Sequence, residues 1–193
     1  MRNSTDASLG YMSVPTILTW IRIAFFIALI VIHALALEEW GDYLLAAIFL
    51  LAAITDWGDG MLARKLKQTS HFGAFLDPVA DKLIVMGALV ILVDLSRVPT
   101  WLTVLLIGRE IVIASLREWM ALAKTPLVVK PSGKAKTFLQ MLAIFFLFLP
   151  PRPWSSLIGT AMIYAALFFS LYSATQYGVA AKNILEKKHQ NYP

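Results

Sequence analysis

From Pro153 to Ala181 the chain carries no charged side chain, a run longer than the ~20 residues a helix needs to cross the hydrocarbon core of a bilayer. Shorter uncharged apolar runs recur at 23–37, 43–55 and 137–151. Lipid offers backbone N–H and C=O groups no partners, so such segments are confined to helices or a closed barrel. Runs this continuous specify helices. A composition 59% hydrophobic and only 15% charged, with mean hydropathy +0.69, excludes an ordinary soluble domain. The expected fold is all-α: a polytopic membrane protein.

Six spans are expected, at about 14–37, 42–66, 73–95, 99–122, 133–150 and 154–183, the last continuing past the lipid. Breakers separate them at Glu38-Glu39-Trp40-Gly41-Asp42, Ser96-Arg97-Val98-Pro99, Pro131-Ser132-Gly133 and Pro150-Pro151-Arg152-Pro153. With no repeat or low-complexity tract, the organisation is an N-terminal arm (1–12), one membrane catalytic domain (13–185) and a short cytosolic tail (186–193). Arg2, Arg64, Lys65, Lys67, Lys124, Lys130, Lys134, Lys136, Lys182, Lys187 and Lys188 fall on one side, and only Arg97 and Arg152 on the other. The positive-inside rule therefore puts both termini in the cytosol. The net charge of +5 reflects that topology and contact with anionic headgroups, not nucleic acid. Arg22, Lys82, Arg109 and Arg117 lie within spans and need a separate explanation.

Lesser signals fit this picture. Ala34-Leu35-Ala36 has the small-x-small form of a signal cleavage site, but the apolar run before it exceeds a signal core and contains Arg22, so it is read as a span. Asn3-Ser4-Thr5 has the glycosylation form on the side where no modification occurs. There is no cysteine and hence no disulfide. His33, His71 and His189 lack metal-ligand spacing and are read as structural or solvated. Trp40, Tyr43, Trp101 and Trp154 sit near span ends as interfacial anchors.

The most demanding stretch is Asp56-Trp57-Gly58-Asp59-Gly60-Met61-Leu62-Ala63-Arg64, which ends the second span. On a helix, Asp56, Asp59, Gly60, Ala63 and Arg64 share a face. The third span opens with Gly73, Asp77 and Asp81 at i, i+4 and i+8. A short loop makes these spans antiparallel neighbours, so four carboxylates converge near the cytosolic end. Any one of them alone is explained as an interfacial charge neutralised by nearby lysines. Four together, beside small residues, require cations, because each buried charge costs roughly 2.5 to 3.5 kcal/mol or more at the bilayer centre. Carboxylate oxygens suit Mg²⁺ or Mn²⁺, and two such ions could serve in-line phosphoryl displacement. Gly60 and Ala63 let a ligand approach the backbone, and Arg64 can pair with phosphate oxygens. Pro78 removes one helical hydrogen bond, either freeing backbone at the site or acting as a tolerated kink.

The pattern D-x2-D-G-x2-A-R-x8-G-x3-D-x3-D, formed by Asp56, Asp59, Gly60, Ala63, Arg64, Gly73, Asp77 and Asp81, resembles the signature of the CDP-alcohol phosphotransferases. The resemblance implies that family's fold: six membrane helices, a cytosol-facing site, two divalent metal ions and a homodimer. It implies transfer of a phosphatidyl group from CDP-diacylglycerol to an alcohol, with release of CMP. It further implies that Asp56, Asp59 and Asp77 bind metal, and that Asp81 lies at the metals and acts as general base. The CDP-lipid would be held by Thr16, Asp56, Asp59, Gly60, Ala63, Arg64 and Gly73. Ser13-Val14-Pro15-Thr16-Ile17-Leu18-Thr19-Trp20-Ile21-Arg22 is similar to the family's opening motif, with Ser13 where asparagine is usual; Thr16, Thr19 and Arg22 would be polar neighbours of the site. A bacterial cytoplasmic membrane is the expected location.

The buried cations bear on the acceptor. Arg109 and Arg117 lie at i and i+8 in the fourth span, and Lys134 and Lys136 open the fifth. Together they could bind an anion, as an acceptor bearing its own phosphate requires. For Arg117, Lys134 and Lys136 the alternative is topology and headgroup contact, and for Arg109 an internal pair with Glu110. Gly108-Arg109-Glu110-Ile111 through Trp119, followed by Ser132-Gly133-Lys134-Ala135-Lys136-Thr137-x2-Gln140, resembles the branch of the family that phosphatidylates sn-glycerol 3-phosphate. Serine or inositol phosphate as acceptor is the nearer alternative. A cation or proton transporter is the more distant one, and would require charges spread through the membrane depth.

Overall fold

The computed structural model describes the backbone of residues 14–37, 40–66, 71–122, 125 and 131–190; within those ranges the side chains of 14–16, 18, 56–66, 71–75, 77, 78, 131–135, 185 and 187–190 fall outside the description. Six helices follow one another: α1 (Val14–Ala34), α2 (Gly41–Leu66), α3 (His71–Asp94), α4 (Thr100–Leu122), α5 (Pro131–Phe148) and α6 (Pro153–Gln190). No strand occurs among the described residues.

Proline opens α5 and α6, a position where its missing N–H would have had no helical partner anyway. α1 and α3 are each followed by a residue in the left-handed region, Ala36 (φ 46°) and Ser96 (φ 56°). After α3 the turned chain returns the N–H groups of Arg97 and Val98 to the Leu92 carbonyl, at 2.9 and 3.2 Å. α3 runs unbroken across Pro78. α6 continues across residue 186 to Gln190, without a break between the expected domain and tail. Once Pro153 has started that helix, no proline or glycine pair interrupts it.

The helices run up and down, with the ends of α1, α3 and α5 meeting the starts of α2, α4 and α6. Among the described residues α1 packs along both α2 and α3, which touch each other only slightly, and α5 packs most extensively on α6. The α5–α6 approach is close: a Cβ on Gly159 would come within 2.7 Å of Leu147 Cγ and 3.2 Å of its backbone nitrogen. The described core includes Leu29, Phe49, Leu92, Leu102, Phe148 and Ile163.

Polar contacts fasten the bundle. Arg97 Nη1 donates to the carbonyls of Leu147, Phe148 and Leu149 at 2.9, 3.1 and 3.2 Å, and Nη2 donates to Asp42 Oδ2 at 2.6 Å. One guanidinium thus satisfies the end of α5, whose carbonyls carry partial negative charge, and binds it to the first turn of α2. His33 Nε2 lies 2.9 Å from Asp94 Oδ2, joining α1 to α3, as a structural reading of His33 expects. Arg97→Met is expected to lower stability by on the order of 3 kcal/mol, since it strands Asp42 and three carbonyls together. A thermal melt in detergent checks this; an unchanged midpoint would remove the contact from the account.

The exterior is apolar on every helix. Trp20, Ile27, Leu51, Ile54, Val90, Val104, Val112, Phe138, Leu157, Phe168 and Val179 are all exposed. A contiguous apolar surface of this kind needs an apolar solvent, and the molecule is built as a membrane protein. Among the described residues one helical stretch, Pro153–Ile184, is by itself both long and apolar enough to span, with mean hydropathy 1.7. Thr19–Ala34, Gly41–Thr55 and Lys136–Phe148 are shorter apolar stretches.

Candidate functional site

A cavity of about 250 Å³ opens between α3, α4 and α5. Asp81, Lys82, Glu110, Lys136, Thr137 and Gln140 supply its polar lining; Val85, Met86, Leu89, Leu106, Ile107 and Met141 supply the apolar part. The pattern follows from helical spacing. Asp81, Val85 and Leu89 recur at four-residue intervals on α3, and Lys136 and Gln140 do so on α5.

Asp81 anchors one wall. Its Oδ1 accepts a hydrogen bond from Arg22 Nη1, a guanidinium only 1% exposed, while the carboxylate itself is 41% exposed. Thr19, one turn before Arg22, is also fully buried. The α1 residues expected near the site are therefore joined to it through Arg22; the Thr16 side chain lies outside the described residues, as does Ser13. The guanidinium fixes the orientation of the Asp81 carboxylate toward the space between the helices.

Lys136 anchors the opposite wall, with its side chain 5% exposed. Its ammonium donates to Glu110 Oε2. Arg109 Nη1 donates to the same oxygen at 3.1 Å. Arg109 is in turn held to α6, through Nε to the Ser170 carbonyl and Nη2 to Ser173 Oγ, each at 3.0 Å. A continuous polar chain thus runs from α6 through Arg109 and Glu110 on α4 to Lys136 on α5. Glu110 balances two buried cations, the arrangement in which a buried charge is tolerated.

The sequence-derived candidates separate accordingly. Asp81 and Lys136 come together at one cavity. Arg109 is connected to it through Glu110, with its guanidinium occupied by α4 and α6 partners. Arg117, two turns further along α4, is exposed and does not line it. Asp56, Asp59, Gly60, Ala63 and Arg64 lie on the last turns of α2, and Gly73 and Asp77 on the first turns of α3; their side chains, and that of Lys134, fall outside the described residues. Lys82, Thr137, Glu110 and Gln140 line the cavity without having been singled out as site residues. Helical spacing from Lys136 and adjacency to Asp81 were the available signals.

Among the described residues no three metal-binding side chains gather, because three of the four proposed ligands are not among them. The donor set fits a hard divalent ion nonetheless. It consists of carboxylates alone on two consecutive helices, with no cysteine in the chain and His33 already paired to Asp94.

The comparisons with known proteins agree with this geometry. A protein from Pectobacterium atrosepticum named CDP-diacylglycerol–glycerol-3-phosphate 3-phosphatidyltransferase is 43% identical over 90% of this chain and 97% of its own. Proteins of the same name from Salmonella choleraesuis and Sodalis glossinidius are each 42% identical over the same shares. The model of the CDP-alcohol phosphatidyltransferase family matches residues 12–172, from just before α1 into α6 and across all the helices that line the cavity, and the chain belongs to that family.

Proposed function

We propose that this protein transfers the phosphatidyl group of CDP-diacylglycerol to sn-glycerol 3-phosphate, giving phosphatidylglycerophosphate and CMP. The observation that carries the proposal is the shared cavity, which has a carboxylate on one wall and a buried ammonium on the other. The name borne by relatives that align over nearly the whole chain supports it.

In this reading the acceptor's phosphate sits against Lys136, and its terminal hydroxyl faces Asp81. Asp81 takes the hydroxyl proton as the oxygen attacks the β-phosphorus; a P–O bond forms to glycerol 3-phosphate and the P–O bond to CMP breaks. Arg22 holds the Asp81 carboxylate in place. Glu110 keeps Lys136 and Arg109 in register. Arg117 and Lys134 attract the anionic acceptor from the cytosolic side. Thr16, Gly60, Ala63, Arg64 and Gly73 belong to the CDP-lipid half of the site, where small residues allow close approach to the helix backbones. The family uses divalent metal ions; Asp56, Asp59, Asp77 and Asp81 would hold two, Mg²⁺ or Mn²⁺, which when bound neutralise the diphosphate and the leaving CMP.

The six helices are proposed as six spans in a bacterial cytoplasmic membrane, with both termini and the site on the cytosolic side. The outward apolar side chains on all six helices support that placement. A homodimer, implied by the family resemblance, belongs to the same proposal. In proteoliposomes containing CDP-diacylglycerol, labelled glycerol 3-phosphate is expected to enter the lipid phase as CMP is released. Chelation should stop the reaction and Mg²⁺ or Mn²⁺ restore it. Label remaining in the aqueous phase under all these conditions would contradict the proposal.

A further inference from the structure

Gln140 is 6% exposed and lines the cavity one helical turn beyond Lys136 on the same face of α5. Among the described residues no hydrogen bond reaches its amide. Its cavity neighbours further along are Leu89, Leu106 and Met141, none of which can pair with it. The amide is not among the side-chain atoms sealed from solvent without a partner, so what remains exposed of this otherwise buried residue opens into the cavity, where a ligand or water can complete it. The charged groups lie together nearby: Asp81, Lys82, Glu110 and Lys136. The cavity therefore presents a base and a cation, with two neutral donor–acceptor side chains on α5 next to them, Thr137 and Gln140, of which only Gln140 is buried.

We propose that Gln140 determines acceptor specificity by pairing with the second hydroxyl of the acceptor, the one that does not react. This rests on the acceptor reading above and adds to it a residue and an atom. With the phosphate at Lys136 and the reacting C1 hydroxyl at Asp81, the C2 hydroxyl is left to be matched. A carboxamide suits it in both directions, because Nε2–H donates to the hydroxyl oxygen and Oε1 accepts its proton. An acceptor with a methylene at C2 leaves both amide atoms unpaired, and a site built to hydrogen-bond a hydroxyl rejects such an analogue strongly.

The test compares sn-glycerol 3-phosphate with 3-hydroxypropyl phosphate, which lacks only the C2 hydroxyl, on the full-length protein in proteoliposomes. The native protein is expected to favour glycerol 3-phosphate in kcat/KM by about ten- to a hundredfold. Gln140→Met keeps the side-chain volume and removes the unpaired amide, so it is expected to fold. It should bring the ratio close to one, chiefly by losing activity with glycerol 3-phosphate, while KM for CDP-diacylglycerol stays unchanged. Gln140→Asn, with the amide withdrawn by one methylene, should give an intermediate ratio. A Gln140→Met protein that melts like the native one and keeps the native ratio would overturn the proposal and leave the amide satisfied by water. Failure of the native protein to use glycerol 3-phosphate would instead overturn the acceptor reading.

Discussion

Asp81→Asn is expected to lower turnover by about 10²- to 10⁴-fold, the range that a positioned general base contributes, while leaving CDP-diacylglycerol bound. Asparagine has nearly the same shape, and its carbonyl oxygen can still accept from Arg22, so the helix contact that fixes residue 81 persists. What disappears is a group able to take a proton from the acceptor hydroxyl. CMP release at saturating concentrations of both substrates measures the loss, and competition with a fluorescent CDP-lipid measures binding. Near-normal turnover in Asp81→Asn would remove the base from the mechanism. Loss of CDP-lipid binding along with turnover would show that Asp81 acts mainly in holding metal and substrate. Asp56→Asn, on the proposed metal side, should instead weaken both metal dependence and CDP-lipid binding.

The second large effect is expected at Lys136. Lys136→Met removes the one ammonium among the described residues that is both buried and in the cavity, and should raise KM for glycerol 3-phosphate by roughly ten- to a hundredfold, the worth of a charge-assisted hydrogen bond. KM for CDP-diacylglycerol should change little. The same substitution leaves Glu110 with Arg109 as its remaining described partner, so some destabilisation is expected as well. The double variant Glu110→Gln/Lys136→Met separates the two consequences. Stability should return once no carboxylate is left short of a partner, whereas the acceptor KM should stay high. If KM returned together with stability, Lys136 would be a structural cation only. Lys134→Ala provides a comparison from the same motif, with a smaller rise in acceptor KM expected from a lysine at the helix start.

Much of the scaffold was legible because glycine, proline and charge punctuate this chain sharply. Gly41, Pro131 and Pro153 begin helices, and Ser96-Arg97-Val98-Pro99 turns the chain between α3 and α4. The spacing of Asp77 and Asp81 to one helical face follows from α3 remaining helical through Pro78. Contacts between distant segments were not legible. Arg22 meets Asp81 across 59 residues, and Glu110 meets Lys136 across 26. Periodicity places a side chain on a face but does not say which helix lies opposite.

Arg109 illustrates the difference. The sequence left it between an anion site and an internal pair with Glu110, and the structure has that pair. Its other partners, Ser170 and Ser173, lie inside the longest uncharged run, where nothing marked them as polar contacts. Gln140 belongs to the motif that opens α5, but its importance comes from burial at the cavity wall without a described partner, a property that only packing creates. Lys82 was noted as an unexplained intramembrane charge; its position on the wall beside Asp81 explains why a lysine there can be tolerated.

An acceptor panel asks whether this CDP-alcohol site is matched to a phosphorylated acceptor. Purified protein in CDP-diacylglycerol vesicles would be given sn-glycerol 3-phosphate, serine or inositol phosphate, each with Mg²⁺ and with Mn²⁺, and CMP release followed to obtain kcat/KM. Glycerol 3-phosphate should exceed both other acceptors by at least about tenfold with either metal. CMP release with serine but not with glycerol 3-phosphate would contradict the account.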